Sequence, residues 1–578
     1  MIYERMVKGI FLERPNRFIA YVEIAGKKEV VHVKNTGRCQ ELLLPGVEVY
    51  VQRAENRERK TMWDLIAVQK EKRLVNMDSQ VPNKVVNEWI EKGNLFSDVQ
   101  LIKSEVTYGD SRFDLYVECE NRKIFIEVKG VTLESENVVS FPDAPSERAV
   151  KHVKGLMEAV KKGYETYVFF VVQMKGALYF TPNKVMHPDF SDALQEAKKA
   201  GVNIVAYECN VKPERIEIAK EVPVVLYEPT LYEIKKPLLK WYRDNGRKLP
   251  WRENVSAYHT WVSEIMLQQT RVEAVKPYYA RFLNQLPTIR DLAQAKEDEL
   301  LKLWEGLGYY NRVRNMQKAA IQIMEEYSGE FPHSYIEIRK LKGIGNYTAG
   351  AISSIAFGEP KPAVDGNVLR VVSRLLARDD DIAKASVRSK IEEAVEEAIP
   401  SDAPGDFNQA LIEIGALVCL PNGAPKCIEC PISRFCRAKA EGREHELPVK
   451  TKAKARKIQE RTILIFKDGE KLAIRKREKT GLLAGLYEFP NVSGWLSMAE
   501  VKKHSKDIGL MPIRVQKLPE AKHIFSHIEW RMKGYLIRVD ELEKADKQDF
   551  LFIEPREIEK TYPIPSAFEA YMKYVNAK

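Results

Sequence analysis

Long apolar runs are missing from this chain, and none approaches the ~20 residues needed to span a bilayer, so no membrane partner is expected. The N-terminal stretch MIYERMVKGIFLERPNRF carries charges through its apolar part and so lacks the core of a secretory signal. A cytoplasmic location is the resulting expectation. Internal repeats and low-complexity tracts are absent, which argues against a repeat architecture. Cysteine is sparse at seven in 578 residues, and its distribution is not that of a secreted disulfide scaffold. Neither sign of charge dominates: 92 basic against 82 acidic residues leave +10 and a pI near 8.9. That balance suits a phosphate-backbone partner and equally suits many proteins that never meet one. What is present is an ordinary globular composition, 44% hydrophobic and 30% charged, on a chain long enough for three or four domains.

Residues 1–222 read as mixed α/β. Strands are expected at Phe18–Ile24, Val47–Gln52, Ile124–Val128 and Thr166–Val172, with a helix over Ser146–Lys162 suggesting a strand–helix–strand unit. The segment Glu221–Thr230 carries two prolines and no amphipathic period, and marks a boundary. Over 231–440 apolar residues recur at helical spacing, as in WVSEIMLQQTRVEAV and DELLKLWEGLGYY, which predicts an all-helical domain. Residues 441–459, with the run VKTKAKARK, read as a basic linker without structure. From 460 to 578 strands return. RTILIF, an Asp468–Gly469 turn and KLAIRKR predict a hairpin opening a small α/β domain.

Four cysteines, Cys419, Cys427, Cys430 and Cys436, form C-x7-C-x2-C-x5-C, a donor set that suits tetrahedral Zn2+ or a [4Fe–4S] cluster. Upstream, Gly343 and Gly345 flank a turn that opens a helix, exposing amides that can grip a phosphate. Asp365, twenty residues past Gly345, can cap the next helix and also stabilise a cationic sugar.

The hairpin, the downstream Asp and the four-cysteine loop together resemble the endonuclease III superfamily of DNA glycosylases. Within it, Ser263–Thr270 resembles the segment bearing the catalytic Glu of the MutY family. The first cysteine gap holds seven residues where the superfamily usually has six. The resemblance implies a [4Fe–4S] cluster, Glu264 as the acid that protonates adenine N7, and an ionised Asp365 facing the oxocarbenium ion. Asn367 would orient Asp365 or the water. A glutamate between apolar neighbours favours its neutral form, and two carboxylates of different pKa suit N-glycoside hydrolysis. The resemblance further implies Gln268 beside the flipped adenine, one turn from Glu264 on the same helical face, and Gln269 among the DNA-binding residues. Tyr309 resembles the wedge next to the oxidised guanine. Bifunctional relatives carry a nucleophilic lysine where this chain has Tyr347, which cannot form an imine. Base removal without strand cleavage is therefore expected, on double-stranded DNA with 8-oxoguanine:adenine or G:A mismatches, by a monomer in bacterial nucleoid-associated repair.

Residues 460–578 resemble the Nudix-like domain of that family through Gly481–Pro490, without the paired glutamates of Nudix hydrolases, and Phe525-Ser526-His527 resembles its 8-oxoguanine-sensing loop. A serine hydroxyl both donates and accepts, so it can read an altered Hoogsteen edge. Residues 1–222 resemble the SfsA, or sugar fermentation stimulation, family through Asn35–Gly46, Ser111–Asp114, Ile126–Lys129 and Phe141–Arg148, implying a nucleic-acid-binding protein with a nuclease-like core. Asp114 followed by Glu127 and Lys129 also reads as a PD-(D/E)xK arrangement that could bind Mg2+, with Glu105 as a candidate third acid. The expected whole is multidomain: an N-terminal α/β nuclease-like domain, an all-α helix–hairpin–helix glycosylase domain with an iron–sulfur cluster loop, and a C-terminal α/β Nudix-like domain.

Overall fold

The computed structural model describes residues 1–35, 37–54, 59, 61–421, 423–451, 455–540, 542 and 550–575. The chain divides into two compact units, Met1–Glu233 and Ile234–Lys578.

The first unit holds three sheets: two of six strands, and a three-stranded one built from Leu133–Ser135, Val138–Phe141 and Tyr179–Pro182. Strands β1 (Met6–Glu13), β2 (Ile19–Ile24), β3 (Lys27–Val33), β4 (Glu48–Arg53), β5 (Trp63–Lys70) and β6 (Arg73–Asn76) lie in the order β3-β2-β1-β4-β5-β6. A parallel pairing of β3 with β5 at Val31↔Trp63 closes this sheet into a barrel. Alternation of buried Ala20, Val22 and Ile24 with more exposed neighbours fills its interior from one face of β2.

The second sheet follows α1 (Val81–Glu91) and contains β7 (Val99–Tyr108), β8 (Ser111–Cys119) and β9 (Arg122–Val131) at one side. Helix α2 (Glu147–Lys161), capped by the Ser146 side chain, crosses to the strand Glu165–Val172, which pairs in parallel with β9. Because β9 is a central strand, its run Ile124–Val128 is buried on both faces. The stretch Asn35–Gly46 includes Thr36, which lies outside the described residues.

In the second unit, helices pack over Ile234–Ala440 around Trp261, Phe282 and Trp304, all fully buried. The expected free linker is partly ordered. Val449 O accepts from Ile382 N at 3.1 Å, Thr451 bonds Asp381, and a strand already begins at Lys457. Residues 452–454 of that linker lie outside the described residues. The hairpin turn falls one residue later than expected, at Gly469–Glu470 between the pair Asp468↔Lys471, with the positive φ of 54° at Gly469. The C-terminal sheet adjoins the helices through Lys476–Asp298 at 2.7 Å and Ile564 N to Glu305 Oε1 at 2.8 Å. Among the described residues no helix is long and apolar enough to cross a membrane.

Candidate active site

Glu264 sits on the helix Ala257–Leu267, which Ser256 caps by accepting from His259 N. The helix is apolar on most sides and therefore buried all round, leaving Glu264 8% exposed at the wall of a cavity of about 680 Å³. Tyr347 reaches the same cavity from the first turn of the helix Asn346–Phe357, and its Oη donates to Glu264 Oε2 at 2.5 Å. The turn before that helix needs only one special backbone conformation. Gly343 has φ 80° and an added Cβ would lie 2.7 Å from Asn315 Cβ, whereas Gly345 is the extended N-cap at φ −97°.

Asp365 faces the same cavity as the N-cap of the helix Gly366–Leu375. Its Oδ1 accepts from the backbone N–H groups of Asn367 and Val368, both at 2.8 Å, and its Oδ2 from Asn367 Nδ2 at 2.8 Å. Asn367 Oδ1 in turn accepts from Arg370 Nη2 at 2.9 Å. The capping and chemical readings of Asp365 thus rest on one geometry.

Burial pushes Glu264 up to about 7, with Tyr347's hydrogen bond opposing and Asp365's charge assisting. Burial also raises Asp365, against which the Val368 and Asn367 donors and Arg370 act. Glu264 has one donor and Asp365 three, so Glu264 is the better proton carrier of the pair.

Arginines line the other wall. Glu413 is fully buried; burial would raise it, but hydrogen bonds from Arg247 and Arg252 prevail and hold it down at about 2. Composition and spacing carried no signal for that trio. No lysine lines the cavity among the described residues.

Gln268 also lines this cavity, four residues on from Glu264 at the end of the helix, with a helical φ of −59° that keeps it on the same face. It occupies the C-cap, and Gln269 follows at φ 61°. Tyr309 lies on a loop before the helix Asn311–Glu326, 48% exposed, at a second cavity of about 700 Å³. Phe525, Ser526 and His527 line that second cavity from the turn between two C-terminal strands. Phe525 packs edge-on against Trp530 at 5.0 Å, and Ser526 Oγ lies 3.2 Å from His527 Nδ1.

Cys419, Cys427, Cys430 and Cys436 surround one small cavity beside Arg374, whose Nη1 donates to Cys419 Sγ at 3.3 Å. Burial pushes Cys430 up to about 12 and raises Cys427 and Cys436, and the cysteines' own charges act on one another. A cationic centre would remove that cost, and four thiols lining one cavity are the donor chemistry of a metal–sulfur site.

In the first unit, Asp114 on β8 and Glu127 on β9 lie one step beyond the pair Leu115↔Ile126. Asp114 accepts from Val128 N and from Asn83 Nδ2 of α1, both at 2.8 Å. Glu127, 1% exposed, takes Lys129 and His152 of α2 on Oε1, while its buried Oε2 has no hydrogen-bond partner among the described residues. Asp114, Glu127 and Lys129 therefore converge. Glu105 does not join them: it stands at φ 58°, is 64% exposed and pairs with Arg112. Asn83 and His152 carry no sequence signal of their own, because each is one polar residue among several on an amphipathic helix.

Comparison with known proteins gives these sites a family. Models described as the SfsA N-terminal OB domain and the sugar fermentation stimulation protein RE domain match residues 12–77 and 80–215. The sugar fermentation stimulation protein homolog of Ruminiclostridium cellulolyticum is 57% identical over 226 residues, 39% of this chain and 100% of its own length. The chain belongs to the sugar fermentation stimulation protein family. Its SfsA homolog in Desulfitobacterium hafniense DCB-2 is 58% identical over 228 residues, again 39% of this chain and 100% of its own length. The solved Pyrococcus furiosus SfsA, in complex with Ca2+, is 30% identical over 39% of this chain and 97% of its own, with a TM-score of 0.37.

Beyond the SfsA part, the HhH-GPD superfamily base excision DNA repair protein model matches residues 262–397, and a NUDIX domain model matches 461–574. The chain is thus an SfsA module fused to a DNA glycosylase with a Nudix-like domain. The two SfsA models divide at the junction between barrel and second sheet.

Proposed function

We propose that residues 231–578 form a monofunctional adenine DNA glycosylase of the MutY type, acting as a cytoplasmic monomer on adenine opposite 8-oxoguanine or G. The observation that carries this reading is the hydroxyl of Tyr347 on the carboxyl of Glu264, in a cavity shared with Asp365. A carboxyl pushed to about 7 is half protonated near neutral pH and can donate to a leaving purine. Asp365, fixed by three N–H donors, supplies negative charge where the sugar becomes cationic. Position 347 offers no amine for an imine, so the product is an abasic site. Phe525, Ser526 and His527 with Tyr309 form the side that reads the opposite base, and a helix N-terminus at Gly345 with Gly343 receives a phosphate.

Cys419, Cys427, Cys430 and Cys436 would hold a [4Fe–4S] cluster. It would supply a rigid, charged brace for the loop that follows the helix Pro404–Leu417.

In the SfsA module, Asp114 and Glu127 would hold a divalent cation such as Mg2+, the unpartnered Glu127 Oε2 being a free ligand atom. When bound, the cation would polarise a phosphodiester oxygen or activate water. Lys129 and His152 fix Glu127 through its other oxygen, and the module is read as a nucleic-acid-binding, nuclease-like partner of the glycosylase.

A single-turnover assay with excess protein on an 8-oxoguanine:adenine duplex, first without added metal, tests the reading. Strand breaks appearing only after alkali are expected, and Mg2+ is then added to test the SfsA module separately. Breaks without alkali or metal would show that another amine does lyase chemistry. Loss of no adenine would overturn the assignment.

A further inference from the structure

Three loops that face the two cavities converge on one helix. From the first turn of Asn311–Glu326, Arg312 Nη1 donates to the carbonyls of Ile265 (2.6 Å), Met266 (3.3 Å) and Gln268 (2.7 Å). Its Nη2 donates to Leu307 O (3.0 Å) and Gly308 O (3.1 Å). Two residues on, Arg314 Nη2 donates to Ala484 O at 2.6 Å, while its Nε holds Glu297 at 2.8 Å. Each of the three loops contains a non-glycine residue in the left-handed region: Gln269 at φ 61°, Tyr309 at φ 48° and Leu483 at φ 58°. Such conformations persist where the surroundings over-determine them. The Arg312 guanidinium also lies 5.4 Å from the Trp304 ring and 5.6 Å from the Tyr309 ring. Burial pulls Arg312 down to about 10, which leaves it cationic at neutral pH and makes its five carbonyl partners its main compensation.

We propose that Arg312 is a positioning residue that ties the Gln268–Gln269 loop at the Glu264 cavity to the Tyr309 loop at the second cavity, and that Arg314 extends the tie to Leu482–Ala484 of the C-terminal domain. Reading the opposite base and placing the adenine are then set by one helix. The planar guanidinium fork is essential to this role, because a lysine presents three donors as a point charge and cannot span carbonyls from two loops. The inference rests on the adenine-glycosylase reading for its function, but the tie itself is a property of the loops.

Two measurements on the full-length protein separate these. In hydrogen exchange, R312A and R312K should both speed the amides of 267–270 and 307–310 together, by about tenfold, and R314A should speed 482–485. In single-turnover assays with the active fraction measured independently, R312A should lower the rate constant on 8-oxoguanine:adenine on the order of 10²-fold. R314A should reduce the ratio of rates on 8-oxoguanine:adenine and G:A about fivefold or more. If only the active fraction changes, or the two loops respond separately in exchange, the tie is wrong. If wild type removes no adenine, the glycosylase reading fails while exchange still decides the tie. Should R312A not fold, R312K and R314A carry both measurements.

Discussion

Both candidate sites pair a buried glutamate with a partly buried aspartate, and they treat the glutamate in opposite ways. Among the described residues Glu264 meets a neutral tyrosine hydroxyl and no cation in hydrogen-bond contact, and burial carries it to about 7. Glu127 is as deeply buried, but His152 and Lys129 outweigh burial and hold it below its ordinary range. The first environment keeps a proton to give away. The second keeps a charge and leaves one oxygen without a hydrogen-bond partner among the described residues. A glutamate in a dry site therefore becomes an acid or a ligand according to whether its nearest donors carry charge.

The largest effect that would break this comparison comes from Glu264→Gln. Excision in single turnover should fall on the order of 10³-fold or more, with affinity for the lesion duplex kept. Retained activity would strip Glu264 of its role. In the other region, Asp114→Asn or Glu127→Gln should weaken the proposed Mg2+ binding, followed by calorimetry, about 10- to 100-fold, and leave adenine excision unchanged. Unchanged cation affinity would move the cation elsewhere.

Stability gives a sharper version of the same contrast. Because folding raises the Glu264 pKa from 4.5 to about 7, the folded state binds the proton more tightly. The stability this confers is complete below about 4.5 and is lost as pH rises through about 7, a swing of about 3 kcal/mol from its two pKa values. Glu264→Gln should therefore raise the Tm relative to wild type at pH 8, with the advantage shrinking toward pH 4.5. Glu127 has the opposite sign: its pairing stabilises at high pH and is lost as pH falls through its depressed value.

Much of the candidate site was legible because it is built from residue types at fixed spacing: Tyr347 after the glycine turn, a capping Asp365, and four cysteines within eighteen residues. The rest depended on long-range partners. The helix bearing Glu264 stops at Leu267 with three nearby carbonyls held by Arg312, more than forty residues away, which no local pattern encodes. The N-terminal barrel was hidden for a similar reason. Its closure rests on β3 meeting β5 in parallel, and KKEVVHV carries too many charges to stand out as a strand. Asn83 and His152 reach Asp114 and Glu127, respectively, only through the packing of α1 and α2 on the second sheet.

The smallest predicted effect isolates the neutral donor itself. Tyr347 remains protonated, since burial and the charges of Glu264 and Asp365 keep its phenol far above its ordinary range. Its O–H therefore always donates, and it stabilises the ionised Glu264, lowering that group's pKa against the effect of burial. Tyr347→Phe removes the donor without adding charge or much volume. The Glu264 pKa should then rise further, moving the alkaline limb of the excision profile to higher pH, while the plateau rate falls about tenfold as the carboxyl loses its anchor. A fall in rate with the limb fixed would mean that Tyr347 acts on the substrate instead. A limb shifted to lower pH would mean that the hydroxyl favours the protonated carboxyl, and the acid at 264 would then owe its proton to Tyr347 as well as to burial.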